Sequence, residues 1–242
     1  MKKGKRQPHY KKKGVLYKFL HFWIKVFLPK NEVIWQTEKP ADGEPTVYIC
    51  NHTKIYAPVF FLSQDEPLRT WVNCYFFTKD MCWNHLKNRV LFGKRKFLRP
   101  LGFVLTPLIV RIFNCFDFIP VYHFSRELYD VTFQGGVDAV KEGIPQVIFP
   151  ERTENQVNKY IFEINTGFVM SAKMCYEQTG KKMKFYPVYC AQSIKKVVIG
   201  EPIEFDPDKP FKAHRKEIGE YLQDAIEKMG DGLPEHDIVF YG

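Results

Sequence analysis

The chain has 242 residues, enough for one α/β domain with a sizeable core, and its 45% apolar content is ordinary for a globular protein. Its net charge of +9 is concentrated: residues 1–30 hold ten Lys and Arg and no acid, leaving 26 basic against 27 acidic residues in the remainder. A body so near neutral argues against a nucleic-acid-binding domain, which spreads basic residues over a folded face; six cysteines with no CxxC pair and no secretory signal argue against a zinc site or a disulfide framework and read as reduced cytosolic thiols.

The basic tail runs into residues 15–28, VLYKFLHFWIKVFL. This stretch is too short and too charged to cross a bilayer, which needs roughly 20 apolar residues. Lys18, His21 and Lys25 share one helix face, and the other faces carry Leu, Phe, Trp, Ile and Val. The pattern predicts an interfacial helix drawn to anionic lipid by the tail. The competing reading is a helix packed on the body with its polar face outward. On this basis residues 1–30 form a membrane-surface element and residues 31–242 the folded α/β domain.

From residue 45 onward, strands and helices alternate. Residues 46–50 are a short apolar run bounded by Pro45 and Asn51, hence a buried strand, and Pro58 suits the first turn of a following helix. Further helices are predicted near 78–90, 126–142, 166–179 and 212–229, and strands near 70–76, 116–121, 146–149, 184–190 and 195–199. A second apolar stretch, 97–113, holds an uncharged run of 11 residues between Arg99 and Arg111, again too short to span. It is expected to be a buried helix, with a membrane contact or a wall of an acyl-chain site as alternatives. Residues 231–242 are expected to be irregular. Alternation of this kind implies an α/β layer fold, with a central mostly parallel sheet flanked by helices. The 22 Phe suit an apolar tunnel or a lipid-facing surface, and equally a Phe-rich core.

Four strand ends carry polar or Pro-Val signals in order: Asn51-His52, Ile119-Pro120-Val121 with His123 just beyond, Phe149-Pro150-Glu151-Arg152-Thr153, and Pro187-Val188. In α/β folds, ligands sit at the carboxyl ends of strands. Each block alone is as well explained by a solvated loop or a plain surface turn; the ordered set is more specific.

In that order the chain resembles the lysophospholipid and 1-acylglycerol-phosphate acyltransferases over roughly residues 45–205. That family shows Asn-His-x-x-x-x-Asp, an apolar block ending in Asp-Arg, Phe-Pro-Glu-Gly-Thr-Arg, and a Pro-Val strand. Gly167 and Gly200-Glu201-Pro202-Ile203 resemble two later family positions. The sequence departs where the family's Asp falls on Ala57, its Arg of the second block on His123, and its Gly and Arg of the third block on Arg152 and Glu154.

The resemblance implies a reaction that moves a fatty acyl group from a thioester to a lipid hydroxyl. His52 would be the general base, and Asn51, Glu151, Arg152, Thr153 and His123 would lie near the substrate. The donor would be acyl-CoA or an acyl carrier protein, the partners an anionic membrane surface and a lipid acceptor, and the place the cytoplasmic face of a membrane, held peripherally. No metal, cofactor or nucleic acid is expected. Ala57 cannot orient an imidazole, and loss of an orienting carboxylate in related triad logic costs about 10⁴ in rate. Three explanations are open: another group orients His52, the chain is a lipid-binding relative without turnover, or residue 57 is an engineered change. Residue 57 is expected at a partly exposed turn.

Overall fold

The computed structural model describes residues 14–87, 100–122 and 126–239, without the side chains of Arg126, Thr153 and Glu154. The basic tail to residue 13, the predicted helix end at 88–90, residues 97–99 of the second apolar stretch, His123 and residues 240–242 lie outside the described residues.

Ten strands and seven α-helices are described. Helix α1 (Val15–Phe27) is followed by β1 (Glu32–Trp35), β2 (Thr46–Cys50), α2 (Tyr56–Leu62), β3 (Arg69–Asn73), α3 (Lys79–His85), α4 (Leu101–Phe113), β4 (Ile119–Val121) and α5 (Arg126–Lys141). Then come β5 (Gln146–Ile148), β6 (Glu151–Gln156), β7 (Phe162–Ile164), α6 (Val169–Thr179), β8 (Lys184–Ala191), β9 (Lys196–Ile199), β10 (Ile203–Glu204) and α7 (Phe211–Asp231). The main sheet has the order β1-β9-β8-β2-β5-β3-β4, with β10 added on β8, and β6 and β7 form a separate hairpin. Within the main sheet pairing is parallel except where β9 and β10 meet β8, and the β6–β7 hairpin is antiparallel. The α/β fold with a mostly parallel sheet is therefore as the sequence predicts.

Strand β2 lies at the centre because both of its faces can be buried. Val47 and Ile49 enter one core cluster with side chains of α5, α6 and α7, while Tyr48 and Cys50 enter a second with Phe60 and Phe61 of α2. All five residues of β2 are buried, which is the continuous apolar signature of a strand covered on both sides. Each fully buried Val or Ile here contributes about 1.5–3 kcal/mol relative to exposure.

Several expectations need correction. The strand expected over 70–76 ends at Asn73, because its side chain accepts the Tyr75 N–H and turns the chain into a 3₁₀ turn over Cys74–Phe76. The region 116–121 is a strand only from Ile119. Residues 101–113 do form a helix, but not a buried one. Only Gly102 and Thr106 are fully buried, and Leu101, Phe103, Val104 and Leu108 are 50–77% exposed. Gly102 is the point of closest approach: a Cβ there would stand 2.0 Å from the Trp83 ring of α3. Strands β1, β6, β7 and β10 were not foreseen.

Helix α1 inverts the reading in which its polar face points to solvent. The His21 ring nitrogen lies 3.1 Å from the Gln64 carbonyl at the end of α2, and Lys25 pairs with Asp65 at 2.7 Å. Tyr17 packs edge-on against Phe116. The apolar side is left outside, with Val15, Phe19, Phe22, Trp23, Val26 and Phe27 between 40% and 86% exposed. Among the described residues, no helix is long and apolar enough to cross a membrane.

Candidate active site

Three parallel neighbours, β8, β2 and β5, end at one edge of the sheet. In register, Ile49 pairs with Ile148 on one side and Cys50 with Val188 on the other. The chain segments leaving β2 and β5 therefore run out side by side, and they carry His52 and Glu151. Two sequence blocks almost a hundred residues apart meet here for a topological reason.

The meeting is direct. One carboxylate oxygen of Glu151 accepts the backbone N–H of His52, and the other accepts the N–H of Phe162 at 3.0 Å. Glu151 thus ties the β6–β7 hairpin to the histidine loop through the main chain. It is a positioning residue for that loop. Burial raises its pKa, and the two N–H groups offset only part of that rise.

The His52 ring leans on Phe149, with centroids 5.1 Å apart. Burial pushes the imidazole down from its ordinary 6.5 to about 4, against a smaller upward pull from the backbone of His52 and Lys54. At neutral pH it is uncharged and ready to accept a proton, but as a weak base.

The loop between β2 and α2 is locked by its own side chains. Asn51, 3% exposed, accepts the Cys190 N–H through Oδ1 at 2.7 Å and donates from Nδ2 to the Cys190 carbonyl at 3.3 Å. Its amide extends the β2–β8 ladder by one side-chain step, so it clips the loop to β8. The buried Thr53 accepts the Ala57 N–H at 3.0 Å through Oγ1, and its carbonyl accepts the Tyr56 N–H at 2.9 Å. It therefore satisfies donors of the first turn of α2, as a capping residue does. Between them Lys54 adopts φ +49°, in the left-handed region that non-glycine residues avoid at a cost of about 1–3 kcal/mol.

Ala57 corrects a further expectation. It is 0% exposed and packed with Phe60 and Phe61, not at a partly exposed turn. Position 57 therefore offers no carboxylate to His52, and the Glu151 carboxylate engages the main chain. Arg152 is half exposed with Nη1 3.8 Å from Glu163 Oε1, a surface pair that contributes little. Thr153 lies in β6, its side chain undescribed, and His123 is outside the described residues. The structure thus gathers Asn51, His52 and Glu151 and leaves Arg152 on the hairpin surface.

Sequence reasoning missed Thr53, Lys54 and Cys190. A Thr four residues ahead of Ala57 and before an apolar run was a readable capping signal; the φ of Lys54 and the approach of Cys190 were not. Burial favours the protonated form of the thiols here: it pushes Cys190 up to about 12, against a hydrogen bond from Thr53, and holds Cys50 well above its ordinary value. All six cysteines are free. Among the described residues, no group of three or more His, Cys, Asp or Glu is placed to hold a metal ion.

Glu151→Gln tests the main-chain tie. The amide keeps the shape but turns one acceptor into a donor facing an N–H. The expected outcome is a stability loss of about 1–3 kcal/mol, read as a lowered denaturant midpoint with unchanged slope. A midpoint equal to that of the parent would show that the carboxylate does not hold the loop.

No protein-family model matches the chain, and no curated protein matches it. Among solved structures, the 1-acyl-sn-glycerophosphate (LPA) acyltransferase PlsC from Thermotoga maritima is similar over 90% of this chain and 83% of that chain, with 14% sequence identity and a TM-score of 0.49.

Proposed function

We propose that this chain is a membrane-associated acyltransferase that moves a fatty acyl group from a thioester, acyl-CoA or an acyl carrier protein, to the hydroxyl of a lipid-type acceptor. The observation that carries this reading is the placement of His52. It is an uncharged histidine at the carboxyl end of the central parallel strand, its loop held by Asn51, Thr53 and Glu151. The ordered blocks Asn51-His52, Phe149-Pro150-Glu151 and Pro187-Val188 add the resemblance to the glycerolipid acyltransferases.

In the proposed step, His52 takes the hydroxyl proton as the oxygen attacks the thioester carbonyl. The new C–O bond forms, the C–S bond breaks, and the imidazolium returns the proton to the leaving thiolate. An ester and a free thiol result, with no net proton change. Arg152 and Thr153, which follow Glu151 directly, and His123 are proposed to lie towards the acceptor. Support for a membrane location comes from the outward aromatic face of α1 and the ten cationic residues of positions 1–30. We place the protein peripherally, on the cytoplasmic face.

A second reading rests on Ala57. Burial leaves His52 a weak base, and a buried alanine where the family carries Asp supplies no carboxylate at position 57 to offset it, which suits a lipid-binding relative without turnover. One experiment separates the two. Lipids that co-purify with the full chain are identified by mass spectrometry, and thiol release from long-chain acyl-CoA is then followed with those lipids as acceptors. Acceptor-dependent release supports the acyltransferase; bound lipid with no release from any thioester supports the second reading.

A further inference from the structure

Among the described residues, most of the apolar outer side of α4 has no partner; Phe103, at its edge, stacks on Trp83 of α3 with centroids 5.6 Å apart. Leu101, Val104 and Leu108 recur at intervals of three and four residues, and Phe103 borders the same exposed arc across Pro107 and Arg111, the four apolar side chains all at least half exposed. The opposite side packs on α3 through Gly102 against Trp83, and through Leu105, Ile109 and Val110. A free apolar face of this kind on a helix marks an interaction surface.

The charge of the sequence around it points to the occupant. From Met81 to Phe116 the sequence has seven Lys and Arg, five of them at 88–99 outside the described residues, and not one Asp or Glu. The near-neutral total for residues 31–242 conceals this: outside that stretch the same region sums to −8. An apolar helix face within an acid-free, cationic stretch has the chemistry of an anionic bilayer surface, as the N-terminal element does. A nucleic acid would leave four apolar side chains unused. The two elements also adjoin, because Tyr17 of α1 packs on Phe116, three residues beyond the end of α4. Pro107 adds a depth limit. It has no N–H to give the Phe103 carbonyl, which suits α4 to the interface better than to the hydrocarbon centre.

We propose that α4 is a second, internal membrane-binding element, seating Leu101, Phe103, Val104 and Leu108 in the interface of an anionic bilayer. This extends the membrane association proposed for α1 to a separate part of the chain.

The test uses the full chain with Cys115→Ser, which removes the one cysteine that is not buried. An environment-sensitive fluorophore is attached at Phe103→Cys in one sample and at Phe19→Cys in another. Vesicles of equal parts phosphatidylglycerol and phosphatidylcholine should blue-shift both labels, and lipid-borne quenchers should reach both. Unlabelled chain carrying Phe103→Glu and Leu108→Glu should bind the same vesicles at least about tenfold more weakly, since burying one Phe or Leu already exceeds that factor. A shift at position 19 with none at 103 overturns the α4 proposal and leaves the α1 reading standing. No shift at either position overturns both. A shift at 103 that follows protein concentration without vesicles, or follows an added oligonucleotide, assigns the face to a second copy or to nucleic acid, and the proposal fails.

Discussion

His52→Ala is expected to lower thioester turnover by about 10² to 10⁴, the range that a positioned general base supplies, while circular dichroism stays that of the parent. The loop should survive the change, because its anchors are Asn51, Thr53 and the main-chain N–H of residue 52, all of which remain. The pH dependence gives a second readout. With its pKa at about 4, His52 is deprotonated through the whole neutral range, so turnover should stay level down to about pH 5 and fall only below it. An ordinary histidine would lose activity near 6.5. Stability has a defined sign as well. Between pH 6.5 and about 4 the unfolded chain binds a proton that the folded chain does not, so stability is lost as pH falls through that window. The loss is about 3 kcal/mol, and His52→Ala should remove it. Near-parental turnover in the variant, or an acid limb at 6.5 in the parent, would show that a different group is the base.

How much of this could be read from residues alone depends on the range of the interactions. The buried strand over 46–50 and the helix over 212–229 were legible because their apolar pattern and end signals are local. The convergence of His52 and Glu151 was legible only through the order of the blocks; the physical link, a carboxylate accepting a main-chain N–H, leaves no trace in sequence. The α4 region failed for another reason. An apolar run looks the same whether a core or a bilayer covers it, so hydropathy assigned 97–113 to the interior. Only the exposure of Phe103 and Val104 takes them out of the core. On α1 the pattern was right, but which face docks was decided by Gln64 and Asp65, partners about forty residues away.

Ala57→Asp is the substitution whose outcome the buried position changes most. At an exposed turn, an added carboxylate would cost little. At 0% exposure among Phe60 and Phe61 it must be desolvated, and the expected loss is about 2–4 kcal/mol at neutral pH. Denaturant titration measures it. Ala57→Asn is the control, with similar size and no charge. If the carboxylate reaches the imidazole, it supplies a negative charge that favours the protonated ring. The His52 pKa should then rise from about 4 towards or above 6.5, and the acid limb of turnover should move with it. A stronger base transfers protons better at neutral pH, so turnover should rise even though stability falls, and Ala57→Asn should show a smaller stability loss, from size and polarity alone, without the gain. If another group already orients the ring, the new Asp competes with it, and turnover stays level or drops while the acid limb is unmoved. If neither parent nor variant releases thiol from any thioester, yet lipid still binds, His52 is not acting as a base, and the fold serves to hold lipid. Stability, acid limb and rate are three separate readings on one substitution, so the cost of burying the charge cannot be mistaken for its effect on the histidine.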